Sequence, residues 1–244
     1  MGDNHEPVRS LARGLEVLKE LNRFGAARVG TIAQRIKLPR STVYRLLETL
    51  EGDGFVARSA SDDRYRIAPR AATLFERYSS SWPVGSGLSR TALSDAGNRC
   101  PWLLHISTVI NNELVICSTN RPLAPLVPWR GYIGRRLPLF HSSAGIAFFA
   151  FCNTEQRRAL IRGHEQPADS EYVKNSVSAA ASAGFAAYDD PSDPSLVSIS
   201  TAIWSDASLV GCLTLVYIKD GDDKDSLLRL LMSEAERISS RAEG

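Results

Sequence analysis

No apolar run in these 244 residues approaches the ~20 needed for a helix to cross a bilayer. The opening "MGDNHEPVRS" carries acidic residues and no apolar core, so it does not read as a secretory signal. The four cysteines, Cys100, Cys117, Cys152 and Cys212, lie far apart with no CxxC pair. That spacing suits neither a zinc site nor a disulfide framework and fits a reducing cytoplasm, the expected location. His5, His105, His141 and His164 show no metal-ligand spacing. There is no GxSxG elbow, and the glycine pair at Gly85 and Gly87 has no strand before it, so it is no phosphate loop. The sequence therefore predicts no catalytic residue, no metal and no cofactor. A catalyst remains the rival class, with little to support it.

What is present is an ordinary globular composition, 43% hydrophobic and 23% charged, with length for one large domain or two ordinary ones. The net charge of +2 is unevenly spread. Residues 1–78 hold 14 Lys+Arg against 10 Asp+Glu, and the remainder hold 15 against 17. The cations of the first third are mostly arginine, whose planar fork suits phosphate and base-edge contacts.

The first helix is predicted over "EPVRSLARGLEVLKELNRFG", with Val8, Leu11, Leu15, Leu18 and Leu21 forming its apolar face. Val29 then falls in a short extended piece, and a short helix runs from about Thr31 to Ile36. It ends at Leu38-Pro39, because proline disfavours helix in the residue before it. A third helix is predicted from Ser41, a favourable N-cap. Its Val43, Leu46, Leu47 and Leu50 make an inward stripe, while Ser41, Tyr44, Arg45 and Glu48 point away. "GDG" stops it, and "FVARSASDDRYRIA" alternates as a hairpin. Three helices and a two-stranded wing make a winged helix-turn-helix over residues 1–70. A helix and a Ser/Gly/Pro-rich linker are expected over 71–88.

Residues 89–244 read as a second domain. "WLLHISTVI" and "ELVICSTN" form a hairpin about Asn111-Asn112, and "LVSISTAIWSD" and "SLVGCLTLVYI" form one about Asp206-Ala207. Helices are predicted at 142–151, 154–162, from Ser170 to Gly184, and from Asp222 to Arg241 with Leu227, Leu228, Leu231, Ala235 and Ile238 inward. This mixture predicts an α+β two-domain chain whose second domain holds an antiparallel sheet flanked by helices. Trp102 and Trp129 read as core or interface, and Cys212 as a packed small hydrophobe.

A helix-turn-helix lays its second helix in the major groove of double-stranded DNA. Here the first turn of that helix carries Arg40, Ser41, Thr42, Tyr44 and Arg45. Arg40 or Arg45 suits a guanine edge, and Tyr44 a thymine methyl or a phosphate. Ser41 has competing roles as cap and as phosphate contact. In the wing, Arg58, Arg64 and Arg66 are placed for backbone phosphate or the minor groove. The plainer alternative is a small helical core with a charged, solvated face.

The segments "VRSLARGLEVLKEL", "TIAQRIKLPRSTVYRLLETLEGDGFVAR" and "YRIAPRAATL" resemble the N-terminal domain of the IclR family of bacterial transcription regulators. "GRRLPLFHSSAGIAFFA", "AGFAAYDD" and "VSISTAIWSDASLVGCLTLVYI" extend the likeness over nearly the whole chain. Within the family, "GRRLPL" and "GCLTLVY" look most like regulators of aromatic-acid catabolism of the hydroxyphenylpropionate-regulator type. The resemblance implies a GAF-like effector domain, a homodimer or homotetramer joined partly through the first helix and linker helix, and a palindromic operator. It places the effector against Ser142, Ser143 and Ala144 on one side and Tyr188, Asp189, Ser198 and Ser200 on the other. The family often has His at Phe140, Lys at Ile146, Cys at Ser198 and an acid at Tyr188. Those departures point to a more apolar pocket, suited to an aromatic acid more than to a small keto acid, the alternative ligand. Arg130 and His105 are candidates for the effector's second polar contact, and one of Arg135 and Arg136 is expected to serve structure. A DNA-binding chain whose second domain only mediates assembly is the remaining alternative.

Overall fold

The computed structural model describes residues 8–75, 93, 95–98, 100–120, 133–162, 170–191, 193–219, 221 and 223–242. Two compact units divide the chain after Tyr78. No helix among the described residues is long and apolar enough to cross a membrane.

The first unit contains α1 (Arg9–Phe24), α2 (Val29–Arg35), α3 (Arg40–Gly52) and the antiparallel strands β1 (Val56–Arg58) and β2 (Tyr65–Ile67). Its core joins Val17 and Leu21 of α1, Ile32 and Ala33 of α2, Val43 and Leu47 of α3, and Tyr65 of the wing. Ala27 and Tyr65 exchange both backbone hydrogen bonds, which ties the entry to α2 onto the wing. Between α2 and α3 the chain reverses through Lys37 at φ +55, a left-handed conformation that side-chain-bearing residues seldom adopt. After α3, Gly54 takes φ +74 while the Phe55 N–H returns to the Leu50 carbonyl and closes the helix end.

Four local expectations change. The third helix starts at Arg40, with Pro39 as its cap and no side chain capping it, so Ser41 lies inside the first turn. The pre-set φ of proline substitutes for a hydrogen-bonding cap there. The second helix starts at Val29 because the extended residue is Arg28. On α1, Val17 is fully buried, whereas Val8, Leu11 at 63% and Leu15 at 49% stay exposed. The apolar stripe of α1 is thus longer than the core it packs on. Finally, Pro69–Phe75 form a 3-10 helix, not an α-helix. Residues 76–88 of the expected linker lie outside the described residues.

The second unit is built on one antiparallel sheet in the order β5-β4-β3-β8-β7-β6. Its strands are β3 (Leu103–Ile110), β4 (Glu113–Thr119), β5 (Arg136–Leu137), β6 (Ala186–Asp189), β7 (Leu196–Ser205) and β8 (Ser208–Ile218). Asn111 and Asn112, then Asp206 and Ala207, take positive φ at the two predicted hairpin tips, as tight primed turns require. The central pairing joins β3 to β8. One face of the sheet packs against the final helix, α7 (Lys224–Ala242), through Leu227, Leu231, Ala235 and Ile238. Each of the two leucines and the isoleucine contributes roughly 1.5–3 kcal/mol on burial, and the smaller Ala235 less. Leu228 is only half-buried. The other face carries α4 (Ser143–Phe151) and α6 (Glu171–Ala183), with α5 (Thr154–Arg162) between them in sequence. Trp102 and Cys212 are buried as expected, and Trp129 lies outside the described residues.

α4 is seated by backbone, not by side chains alone. A Cβ on Gly145 would stand 2.0 Å from the Leu139 carbonyl oxygen and 2.8 Å from its Cα. Only glycine lets the first turn of α4 come this close to the preceding segment, and a backbone neighbour cannot move aside as a flexible side chain can. Gly145→Ala should therefore destabilise the C-terminal domain by about 1–3 kcal/mol or more, read as a lower urea midpoint. An unchanged midpoint would contradict this close approach.

Candidate functional site

Two groups of side chains answer to the sequence expectations, one in each unit. In the first, Val43 and Leu47 face inward, and Leu46 and Leu50 pack partly buried beside them. That orientation turns Ser41, Tyr44 and Arg45 outward, with Tyr44 39% exposed and Thr42 half-buried. Arg40 is exposed too, but its guanidinium lies back over Gly30 of α2, 3.4 Å from where a Cβ would stand. Arg45 thus projects from the middle of the exposed face, while Arg40 covers the joint between α2 and α3.

The wing is more self-contained than its sequence suggests. Arg58 donates from Nε to Asp63 at 2.7 Å and stands over the Tyr65 ring at 5.7 Å. Its backbone N–H donates to Glu51 of α3. Arg64 and Arg66 each come within 3.9 Å of Asp62. Arg28 was not singled out from sequence, yet it donates to the Asp62 carbonyl and so holds the wing tip from the residue before α2. These exposed pairs contribute little to stability.

The second group surrounds a cavity of about 380 Å³ between the sheet and the first turn of α4. Ser142 caps α4: its hydroxyl accepts from the Gly145 N–H and donates to the Pro138 carbonyl. Ser143, buried beneath, joins a chain of hydroxyls. Ser143 donates to Ser198 at 2.9 Å, Ser200 donates to Ser143 at 2.8 Å, and Ser200 lies 2.8 Å from Thr214. Ser198 ends the chain on the Tyr188 carbonyl. The sheet register explains the grouping, since Tyr188 pairs with Ser198, Ser198 with Val216 and Val216 with Leu103. Two residues along each strand, and so on the same face, Ser200 pairs with Thr214 and Thr214 with His105. Directly opposed residues in antiparallel strands share a face, so these two rows floor the cavity.

Of the residues expected around an effector, Ser142, Ser143, Ala144, Tyr188, Ser198 and His105 line this cavity. Ser200 lies just beneath, supporting Ser143. Asp189 does not line it: successive strand residues face opposite ways, and Asp189 pairs with Lys219 on the exposed side. Arg130 lies outside the described residues. Phe140 is in the core, edge-on to Phe149, and does not line the cavity. Ile146 is likewise buried core. The arginine pair divides as expected, with Arg136 bonded to Glu113 and Arg135 in the cavity wall. Asp190 and His141 also line it and were missed. His141 stacks on Tyr172, a contact between α6 and the residues before α4 that only the tertiary fold creates.

Burial is the main influence on the two titratable rings of the site. Burial, and then the charge of Arg135, hold the His105 imidazole down to about 3. Burial, and then the neighbouring Tyr172, push the Tyr188 phenol up. Both side chains are therefore neutral at physiological pH.

A model of the IclR helix-turn-helix domain matches residues 10–60. Residues 10–60 therefore form an IclR-type helix-turn-helix domain. The regulator XynR of Escherichia coli K12 is 23% identical over 97% of this chain and 98% of its own length. With other curated relatives the matched stretch spans 56–57% of their length. Among solved structures, the IclR of Thermotoga maritima superposes with a TM-score of 0.70 at 16% identity, covering 98% of this chain and 100% of that one. An IclR homolog from Microbacterium hydrocarbonoxydans, complexed with 4-hydroxybenzoate, gives 0.67 at 20% identity, covering 96% and 98%. The α+β two-domain fold of this chain is the fold of those IclR-type proteins.

The sign of the His105 effect on stability follows directly. The unfolded imidazole takes a proton as pH falls through about 6.5, and the folded one only near 3. Stability is thus full above pH 6.5 and is lost between 6.5 and 3, at up to ~1.4 kcal/mol per pH unit. His105→Phe should flatten that part of a pH–stability curve measured by urea titration. An unaltered acid limb would mean that His105 is already charged in the folded protein.

Proposed function

We infer that the chain is a sequence-specific DNA-binding transcription regulator controlled by a small aromatic carboxylic acid held in its C-terminal domain. The carrying observation is the joint presence of an outward Arg45–Tyr44 face on an IclR-type α3 and a lined cavity in the second unit. On this reading Arg45 contacts base edges in the major groove, Ser41 and Thr42 contact phosphate, and Tyr44 contacts a thymine methyl or a phosphate. Arg40 is assigned to the backbone because its guanidinium lies across Gly30. Arg64 and Arg66 grip phosphate by exchanging Asp62 for it, and Arg58 contributes mainly by holding the wing. A homodimer or homotetramer on a palindromic operator fits this arrangement, since two-fold protein symmetry is mirrored in DNA.

In the second unit, the backbone N–H groups of the first turn of α4 suit a carboxylate, and Arg135 supplies positive charge in the same cavity. Tyr188, Leu103 and Val216 supply apolar contact for a ring. The 4-hydroxybenzoate complex of the Microbacterium homolog supports the aromatic-acid reading over that of a small keto acid. Binding of the acid shifts the populations of arrangements that differ in affinity for DNA.

Two measurements test this reading. On an operator selected from random duplex DNA, Arg45→Ala should weaken binding by about 1–3 kcal/mol and relax one base position. An equal loss on all sequences would make Arg45 a phosphate clamp. Arg135→Leu should lower aromatic-acid affinity about tenfold by calorimetry and leave acid-free operator binding in place. Unchanged acid affinity would remove Arg135 from the site.

A further inference from the structure

The wing carries its own counter-charges, and they are held in place. Residues 56–67 hold three arginines against two aspartates, a net charge of +1. Arg64 and Arg66 flank the buried Tyr65, so they share the outer face of the wing. The Asp62 Oδ2 lies 3.9 Å from a guanidinium nitrogen of each. That aspartate is anchored from several sides. Its Oδ1 accepts the Arg64 N–H at 3.3 Å, and its main-chain carbonyl accepts from the Arg28 Nε at 3.3 Å. The Ser59 hydroxyl bonds it as well and, with the Arg64 N–H, holds the carboxyl below its ordinary range. Asp63 is fixed differently. Its backbone takes φ +57, its N–H donates to the Ser59 carbonyl, and its carboxylate accepts from Arg58 at 2.7 Å. On α3, by contrast, no acidic residue pairs with Arg45 among the described residues. Arg64 and Arg66 can turn from Asp62 to a phosphate, but the anchored carboxylate stays beside them.

We propose that Asp62 sets both the affinity and the sequence preference of the wing. It keeps the wing's net charge low, so that the wing holds DNA weakly and with little regard to flanking sequence, and α3 is left to select the operator. This rests on the DNA-binding reading above. The attraction of the wing to a groove grows with its net charge and with the local potential. A·T-rich tracts have a narrow minor groove of more negative potential, which draws arginine. The difference in energy between such a tract and a G·C-rich one scales with the charge of the wing. At +1 that difference is about half of what a wing of +2 would feel. Asp62→Asn makes the comparison with little disturbance, because asparagine keeps an oxygen that accepts from Ser59 and the Arg64 N–H while one negative charge is removed.

The test is fluorescence anisotropy of the intact chain over a series of salt concentrations. The duplexes are an operator selected from random DNA, the same operator with A·T-rich or G·C-rich flanks, and an unrelated sequence. Asp62→Asn should bind the unrelated duplex about fivefold tighter. The slope of log affinity against log salt should steepen by about one for each DNA-binding domain engaged. The preference for A·T-rich flanks should rise about two- to threefold. In a chain that also carries Arg64→Gln and Arg66→Gln, Asp62→Asn should lose most of these effects. An unchanged slope or an unchanged flank preference in Asp62→Asn overturns the role of Asp62 and leaves the DNA-binding reading standing. So does a gain of equal size in the chain lacking both arginines, since the charge would then act on DNA at large. If the unaltered chain binds no duplex, the DNA-binding reading fails and this inference fails with it.

Discussion

The C-terminal domain depends on one close approach of backbone to backbone. The first turn of α4 lies so near Leu139 that a single added carbon at Gly145 would overlap its carbonyl. That approach brings Ser143 down onto the sheet, where Ser198 and Ser200 hold its hydroxyl. It also frames the cavity between Ser142–Ala144 and the strands. Dispersion contacts in the surrounding core, from Phe140 and Phe149 through Ala147 and Cys212, then fix α4 from the other side. Were α4 an ångström higher, Ser143 would lose both partners and the cavity its polar wall. Burial would then leave the Ser143 hydroxyl unpaired, at about 1–3 kcal/mol.

In the N-terminal domain the division of labour is between packing and presentation. The buried stripe of α3 fixes which residues face outward, and the wing is set against it by Arg58, Glu51 and Arg28. The positive balance of the domain is not all available to an anion at once. Asp62 and Asp63 neutralise much of the wing, whereas Arg45 on α3 faces outward with no acidic residue paired to it among the described residues. Exposed pairs of this kind are weak and salt-sensitive. On the proposed reading, the wing adds affinity only where phosphate replaces carboxylate.

Much of this was legible in sequence because it is local. The stripe Val43–Leu46–Leu47–Leu50, the paired asparagines at the β3–β4 tip and Gly184 at φ +80 after α6 each depend on a few neighbouring residues. What was not legible depends on partners distant in sequence or on strand parity. The pairing of β3 with β8 makes His105 a neighbour of Thr214, more than a hundred residues away. Asp189 was misplaced because one step along a strand reverses the face. Phe140 was assigned to a pocket from a family pattern, but the turn before α4 directs it into the core. On α1 the apolar period was read correctly, yet periodicity cannot say where the core ends, so Leu11 and Leu15 are exposed. Ser41 was a reasonable cap by type, displaced by a proline one residue earlier than the helix start it marks.

On the proposed reading, a ligand controls DNA binding by shifting the populations of arrangements that differ in affinity for DNA. The central claim is that the cavity beside α4 holds the acid with its carboxylate at the first turn of that helix. The most direct measurement is a crystal structure of the chain grown with saturating 4-hydroxybenzoate. The account predicts a carboxylate within hydrogen-bond distance of the Ser143 and Ala144 backbone N–H groups, with the ring over Leu103 and Val216. Density for the acid elsewhere on the molecule, with this cavity holding only solvent, would contradict it.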